Sequence, residues 1–137
     1  DTGCLEAFAS GPAIVAMAEE YIKGGKSTKY REIANGNPIT SYIVCEAAKA
    51  GDPVAQRIFA TIGEYIGIGM AGVVNLLNPE KIIVGGGVAE AGEYLLNPLV
   101  DSIKRRAMKI AGETVQVVPA QLGNTAGVIG ASLLIES

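Results

Sequence analysis

The sequence predicts a helix-rich α/β fold with a small parallel sheet and crossover helices. Two short β-branched runs, Lys81–Val84 and Val115–Val118, are separated by a helical segment and flanked by others. Helix, strand, helix, strand, helix is the order of a parallel sheet with crossover connections. Composition supports one compact domain, because 49% of the 137 residues are apolar and 18% are charged, which allows a core and argues against disorder. A parallel pair normally lies inside a larger covered sheet, so further strands are expected from residues before Asp1 or from another chain.

The elements follow in chain order from their caps and breakers. Cys4–Ala9 predicts one or two helical turns. Ser10, with Pro12 in the first turn, then caps a helix to about Lys23, which Gly24-Gly25 stops. Lys26–Asn37 is polar and Gly-containing and reads as a surface connection. Thr40 opens a helix ending near Gly51. Asp52-Pro53 launches a long apolar helix that Asn78-Pro79 closes. After the first strand come the glycines Gly85-Gly86-Gly87, then a turn or short helix over Ala89–Leu96. Asn97-Pro98 is expected to open a helix to about Ala111, its basic cluster Lys104-Arg105-Arg106 in the half where positive charge is favoured. Beyond the second strand, Gly123-Asn124-Thr125 leads into a last helix ending near Ile135.

Several function classes are excluded by what the chain carries. A net charge of −3 argues against a nucleic-acid partner. With no histidine, the chain by itself builds neither a His triad nor a His-containing metal site. Two cysteines, Cys4 and Cys45, are too few for a disulfide scaffold and point to a reducing, cytoplasmic setting. No signal peptide opens the sequence, and its start at Asp1 reads as that of an excised fragment. Ile58–Leu77 has the apolarity of a membrane span, but Glu64 inside it and the strand that follows favour a buried helix, and no membrane partner is expected.

The glycine run poses the functional question. In open α/β sheets ligands bind beyond the carboxyl ends of strands, and a backbone without Cβ atoms lets a phosphate or ribose approach closely. A tight turn without a ligand is the alternative. The run is no dinucleotide fingerprint, because the third glycine would fall at Glu90, and Gly25-Lys26-Ser27 is no P-loop, because Glu20 stands where its first glycine belongs. Gly3-Cys4-Leu5-Glu6 reads either as part of a metal- or substrate-binding motif or as a buried thiol beside an exposed helix-start acid. Cys45, on an apolar helix face, reads as core.

Together these pieces resemble the carboxy-terminal part of the repressor/ORF/kinase (ROK) family of sugar kinases and regulators. The resemblance covers nearly the whole chain. It is carried by Gly3-Cys4-Leu5-Glu6-Ala7-Phe8-Ala9-Ser10-Gly11, Gly51-Asp52-Pro53, Asn75-Leu76-Leu77-Asn78-Pro79 running into Ile82-Ile83-Val84-Gly85-Gly86-Gly87-Val88, and Leu122-Gly123-Asn124-Thr125-Ala126-Gly127. It implies the carboxy-terminal part of an actin-like (ribonuclease H-like) ATPase domain, residues 1–137 forming one partial domain of a two-lobed sugar kinase most similar to glucokinases. ATP with Mg²⁺ and glucose or a related hexose are the implied ligands, and a homo-oligomer is expected. Gly85, Gly86 and Gly87 would lie against the adenosine of ATP, and Glu6 would hydrogen-bond sugar hydroxyls. Cys4 would be one ligand of a structural zinc whose other ligands lie outside this chain, as would the phosphate loop and the aspartate that accepts the sugar proton. Sugar-responsive repressors of the same family are the alternative function.

Overall fold

The computed structural model describes residues 3–26, 28–122 and 125–133. Its elements are α1 (Leu5–Phe8), α2 (Gly11–Lys23), α3 (Lys29–Ala34), α4 (Ser41–Lys49), α5 (Pro53–Leu77), β1 (Lys81–Val84), a 3₁₀ helix (Gly87–Ala91), α6 (Glu93–Arg106), α7 (Lys109–Thr114), β2 (Gln116–Pro119) and α8 (Ala126–Leu133). The strands pair in parallel, Lys81 opposite Gln116 and Val84 opposite Pro119, with the 3₁₀ helix, α6 and α7 as the crossover. A helix-rich α/β fold with a small parallel sheet is therefore what the chain forms.

Cap chemistry sets most helix starts. Ser10 Oγ accepts from Ala13 N at 3.4 Å, and Thr40 Oγ1 from Ile43 N at 3.2 Å. Asp52 does the same for α5, where Oδ1 accepts from Val54 N at 2.8 Å and Ala55 N at 2.9 Å. The other oxygen, Oδ2, accepts from Lys29 N, so this buried carboxylate ties the start of α3 to the start of α5. Asn78 stops α5 in the left-handed conformation at φ 44°.

Four expectations are corrected. The segment 26–37 is not merely a surface connection, because it contains α3. Tyr30 is fully buried there and its hydroxyl donates to Ala18 O at 3.0 Å, so one aromatic anchor pulls a polar segment onto the core. Nor does Asn97-Pro98 open a helix: α6 begins at Glu93, after Gly92 at φ 57°, and Pro98 lies inside it. Pro98 brings no N–H to the helix, but Leu95 and Leu99 on either side are fully buried, and that burial outweighs the lost bond. The helix ends at Arg106, with α7 separate. The second strand runs Gln116–Pro119, one residue later than expected, and the end of the last helix near Ile135 lies outside the described residues.

The core has two lobes. Ile14, Val44, Ile58, Phe59 and Ile62 centre the larger, while Val74, Leu99 and Ile103 centre the smaller and pack on Ile82 and Val117 of the sheet. Val84 touches both, which places the end of β1 at their junction. By length and composition α5 could cross a bilayer. Here one side of it is pressed into α6 at Gly63 and Gly67, and Glu64 accepts from Arg105 at 3.3 Å and Arg106 at 3.1 Å.

Candidate functional site

The site of interest grows from the end of β1. Ala120 N closes the parallel ladder on Val84 O at 2.8 Å, and the chain then enters Gly85-Gly86-Gly87. The three glycines differ in what their positions require. A Cβ on Gly85 would stand 3.4 Å from the Ala120 Cβ, a tight but ordinary contact. Gly86 sits at φ 81°, ψ 175°, a region essentially closed to other residues. Gly87 has no such backbone requirement and nothing within 4 Å of where a Cβ would be. Neither packing nor backbone geometry requires a glycine there, so the bare surface is open to a group from outside the chain.

What holds this turn is the 3₁₀ helix that follows. Its Ala91 is buried, its Val88 packs on the larger core lobe, and the segment rests on α4 and α6. On α4, Cys45 is buried as expected of a core residue, and burial pushes its thiol pKa up, with the nearby Lys49 ammonium opposing. Lys49 Nζ donates to Glu46 Oε1 at 2.9 Å. That bond, followed by the neighbouring Cys45 and the Glu46 and Glu90 carboxylates, holds the Lys49 ammonium above its ordinary range.

The second candidate region is α1. Cys4 precedes the helix without capping it through its side chain, and Glu6 lies in the first turn; both are exposed. The reading of Cys4 as a buried thiol is therefore corrected. Leu5 and Phe8 seat this short helix on α5, Leu5 against Gly69 and Phe8 edge-on to Tyr65 with ring centroids 5.7 Å apart. Packing by these two residues leaves Cys4 and Glu6 at the surface. Among the described residues no three His, Cys, Asp or Glu side chains converge on a metal-sized site, so Cys4 is a single donor and does not by itself fit a four-ligand zinc. The structure does not join the two regions, since α1 rests on α5 and α2 while the glycine turn rests on α4 and α6.

Sequence reasoning missed Glu90 and Lys49 as neighbours of the turn. For Glu90 the signal was present in its three-residue spacing from Gly87, which becomes informative only once the segment is known to be a 3₁₀ helix, whereas Lys49 on α4 had none.

The sequence model of the ROK family matches residues 1–137. The chain belongs to the ROK family. It is 36% identical over 136 residues to a glucokinase of Halalkalibacterium halodurans, covering 98% of this chain and 41% of that protein. A ROK-family glucokinase from Streptomyces griseus, solved in complex with glucose and AMPPNP, superposes with a TM-score of 0.81 at 35% identity, covering 98% of this chain and 45% of that one. A ROK-family transcriptional regulator, a homologue of the E. coli Mlc protein, superposes with a TM-score of 0.84 at 31% identity, over 99% of this chain and 34% of that one. The chain thus spans between a third and a half of the length of these relatives, and they include both kinases and regulators.

Proposed function

We propose that these residues form the carboxy-terminal part of a two-lobed, ATP-dependent hexose kinase with the actin-like ATPase fold, most similar to glucokinase and working in the cytoplasm. The observation that carries the reading is Gly87, a glycine that neither packing nor φ demands, on a turn just beyond a parallel strand where α/β sheets bind ligands. On this reading Gly85, Gly86 and Gly87 take the adenosine side of ATP, Glu6 accepts hydrogen bonds from sugar hydroxyls, and Cys4 contributes one thiolate to a structural zinc completed outside this chain. Mg²⁺ bound with ATP neutralises charge on the transferred phosphoryl group. The glucose- and AMPPNP-bound relative supports this choice of ligands. Self-association is also part of the proposal, because Ile83 of the sheet is 66% exposed and Val128 of α8 is 74% exposed.

The repressor reading is favoured by the close superposition of the regulator. Binding and turnover in the full-length protein separate the two. In the kinase, Gly87→Val weakens ATP by at least about tenfold, with glucose affinity and melting temperature unchanged. Unchanged ATP affinity would refute the placement of adenosine on the turn. Operator-type DNA binding without phosphoryl transfer would favour the repressor.

A further inference from the structure

The 3₁₀ helix after the glycines has two distinct faces. With three residues per turn, side chains at i and i+3 eclipse. Val88 and Ala91 form the inward pair, one packed on the core and the other 2% exposed. Gly87 and Glu90 form the outward pair, and both are exposed. Glu90 therefore stands directly along the helix from the bare surface of Gly87, one turn or about 6 Å away. Its carboxylate is not adrift in solvent: it lies near enough to Cys45 and Lys49 on α4 to act on the ionisation of both.

We propose that Glu90 is the residue that reads the ribose of the bound nucleotide. This rests on the nucleotide reading above and specifies it. A carboxylate offers only acceptors, and the vicinal diol of a ribonucleoside offers two donors in the matching arrangement. It also repels phosphate, so a nucleotide crossing Gly87 lies with its sugar toward Glu90 and its phosphates away from it.

The test is calorimetric binding of ATP, 2′-deoxyATP and 3′-deoxyATP to the full-length protein that contains these residues. The wild-type protein favours ATP over at least one deoxy analogue by about tenfold, the scale of a hydrogen bond to a charged group. Glu90→Ala removes that preference by lowering ATP affinity to the deoxy level, leaving the deoxy analogue unchanged. Glu90→Gln, which keeps one acceptor oxygen, restores part of it. A Glu90→Ala protein with an unaltered ATP-to-deoxy ratio and a lower melting temperature overturns the inference and leaves Glu90 with a structural role only. In that case Gly87→Val still weakens every nucleotide, so the nucleotide reading survives alone. Absence of nucleotide binding by the wild-type protein overturns both.

Discussion

Gly67 stands against Ser102 where α5 crosses α6, so close that a Cβ on the glycine would come within 2.7 Å of the serine Oγ and closer still to its Cβ. The same Cβ would lie 2.7 Å from Leu99 O, a backbone atom that has no rotamer to yield. Four residues earlier, Gly63 meets the Leu95 carbonyl in the same way. The two helices are thus in backbone contact, and Ser102 Oγ uses the approach to donate to Glu64 O at 3.0 Å.

Gly67→Ala is expected to destabilise the 137-residue chain by about 1–3 kcal/mol, since overpacking outweighs the gain in helix propensity of at most about 1 kcal/mol. Gly72→Ala, on the same helix with open space around its Cβ, provides the opposite sign. It should stabilise by up to about 1 kcal/mol. Urea unfolding of the two variants beside the parent chain decides the matter, and destabilisation of similar size in both would remove the close-contact explanation.

Asp52 is a junction as well as a cap. Replacing it by Ala strips one bond from the start of α3 and two from the start of α5, an expected loss of about 2–3 kcal/mol. Asp52→Asn should lose less, because its amide oxygen still accepts from Val54 and Ala55, although its NH₂ then faces the Lys29 N–H. Denaturation midpoints at constant m-value rank the three proteins. Equal losses for Ala and Asn would mean that the α3 bond carries the whole effect.

Much of this was legible from local chemistry. Ser10, Thr40, Asp52 and Asn78 act within a turn of where they stand, so the helices they bound could be placed from sequence, as could the β-branched run at β1. The misplaced elements answer to distant residues. Tyr30 draws α3 inward through Ala18, and α6 begins ahead of Pro98 because Leu95 and Leu99 have a core to fill. At the candidate site, the glycine run was visible, whereas the different reasons for Gly86 and Gly87 depend on φ and on the space around each Cβ. The place of Glu90, one turn along from Gly87, follows only once the segment is known to be a 3₁₀ helix, which no short motif announces.

Tyr30 also makes stability fall at high pH. Burial, the largest cause, raises its hydroxyl pKa above the ordinary 10.0. Above pH 10 the unfolded chain releases this proton while the folded chain keeps it, so the unfolded state binds fewer protons and stability declines as pH rises. The contribution is complete below the ordinary value and is lost as pH climbs through the raised one. Tyr30→Phe removes this dependence but costs about 1–2 kcal/mol at neutral pH by taking the donor from Ala18 O. The stability gap between wild type and Tyr30→Phe should therefore narrow between pH 9 and 11 in urea titrations. A gap that stays constant would mean that the hydroxyl is neutral to the same pH in both states.

The 137 residues alone are expected to show no hexose kinase turnover. Phosphoryl transfer depends on holding both substrates in line and on stabilising charge at the γ-phosphate. Here the candidate sugar acid, Glu6, rests on α5 through α1, and the candidate nucleotide turn rests on α4 and α6, with no phosphate-binding loop recognised in the chain. None of the 14 acidic residues matches the aspartate that the family resemblance assigns as proton acceptor, so a sugar bound at Glu6 would lack a general base. Coupled measurement of ADP release with ATP, Mg²⁺ and glucose, run on this chain beside the full-length protein, tests the point. Glucose-dependent turnover at a rate near that of the full-length protein would mean that a catalytic carboxylate lies within these residues, and the division of labour proposed for the two parts would have to be abandoned.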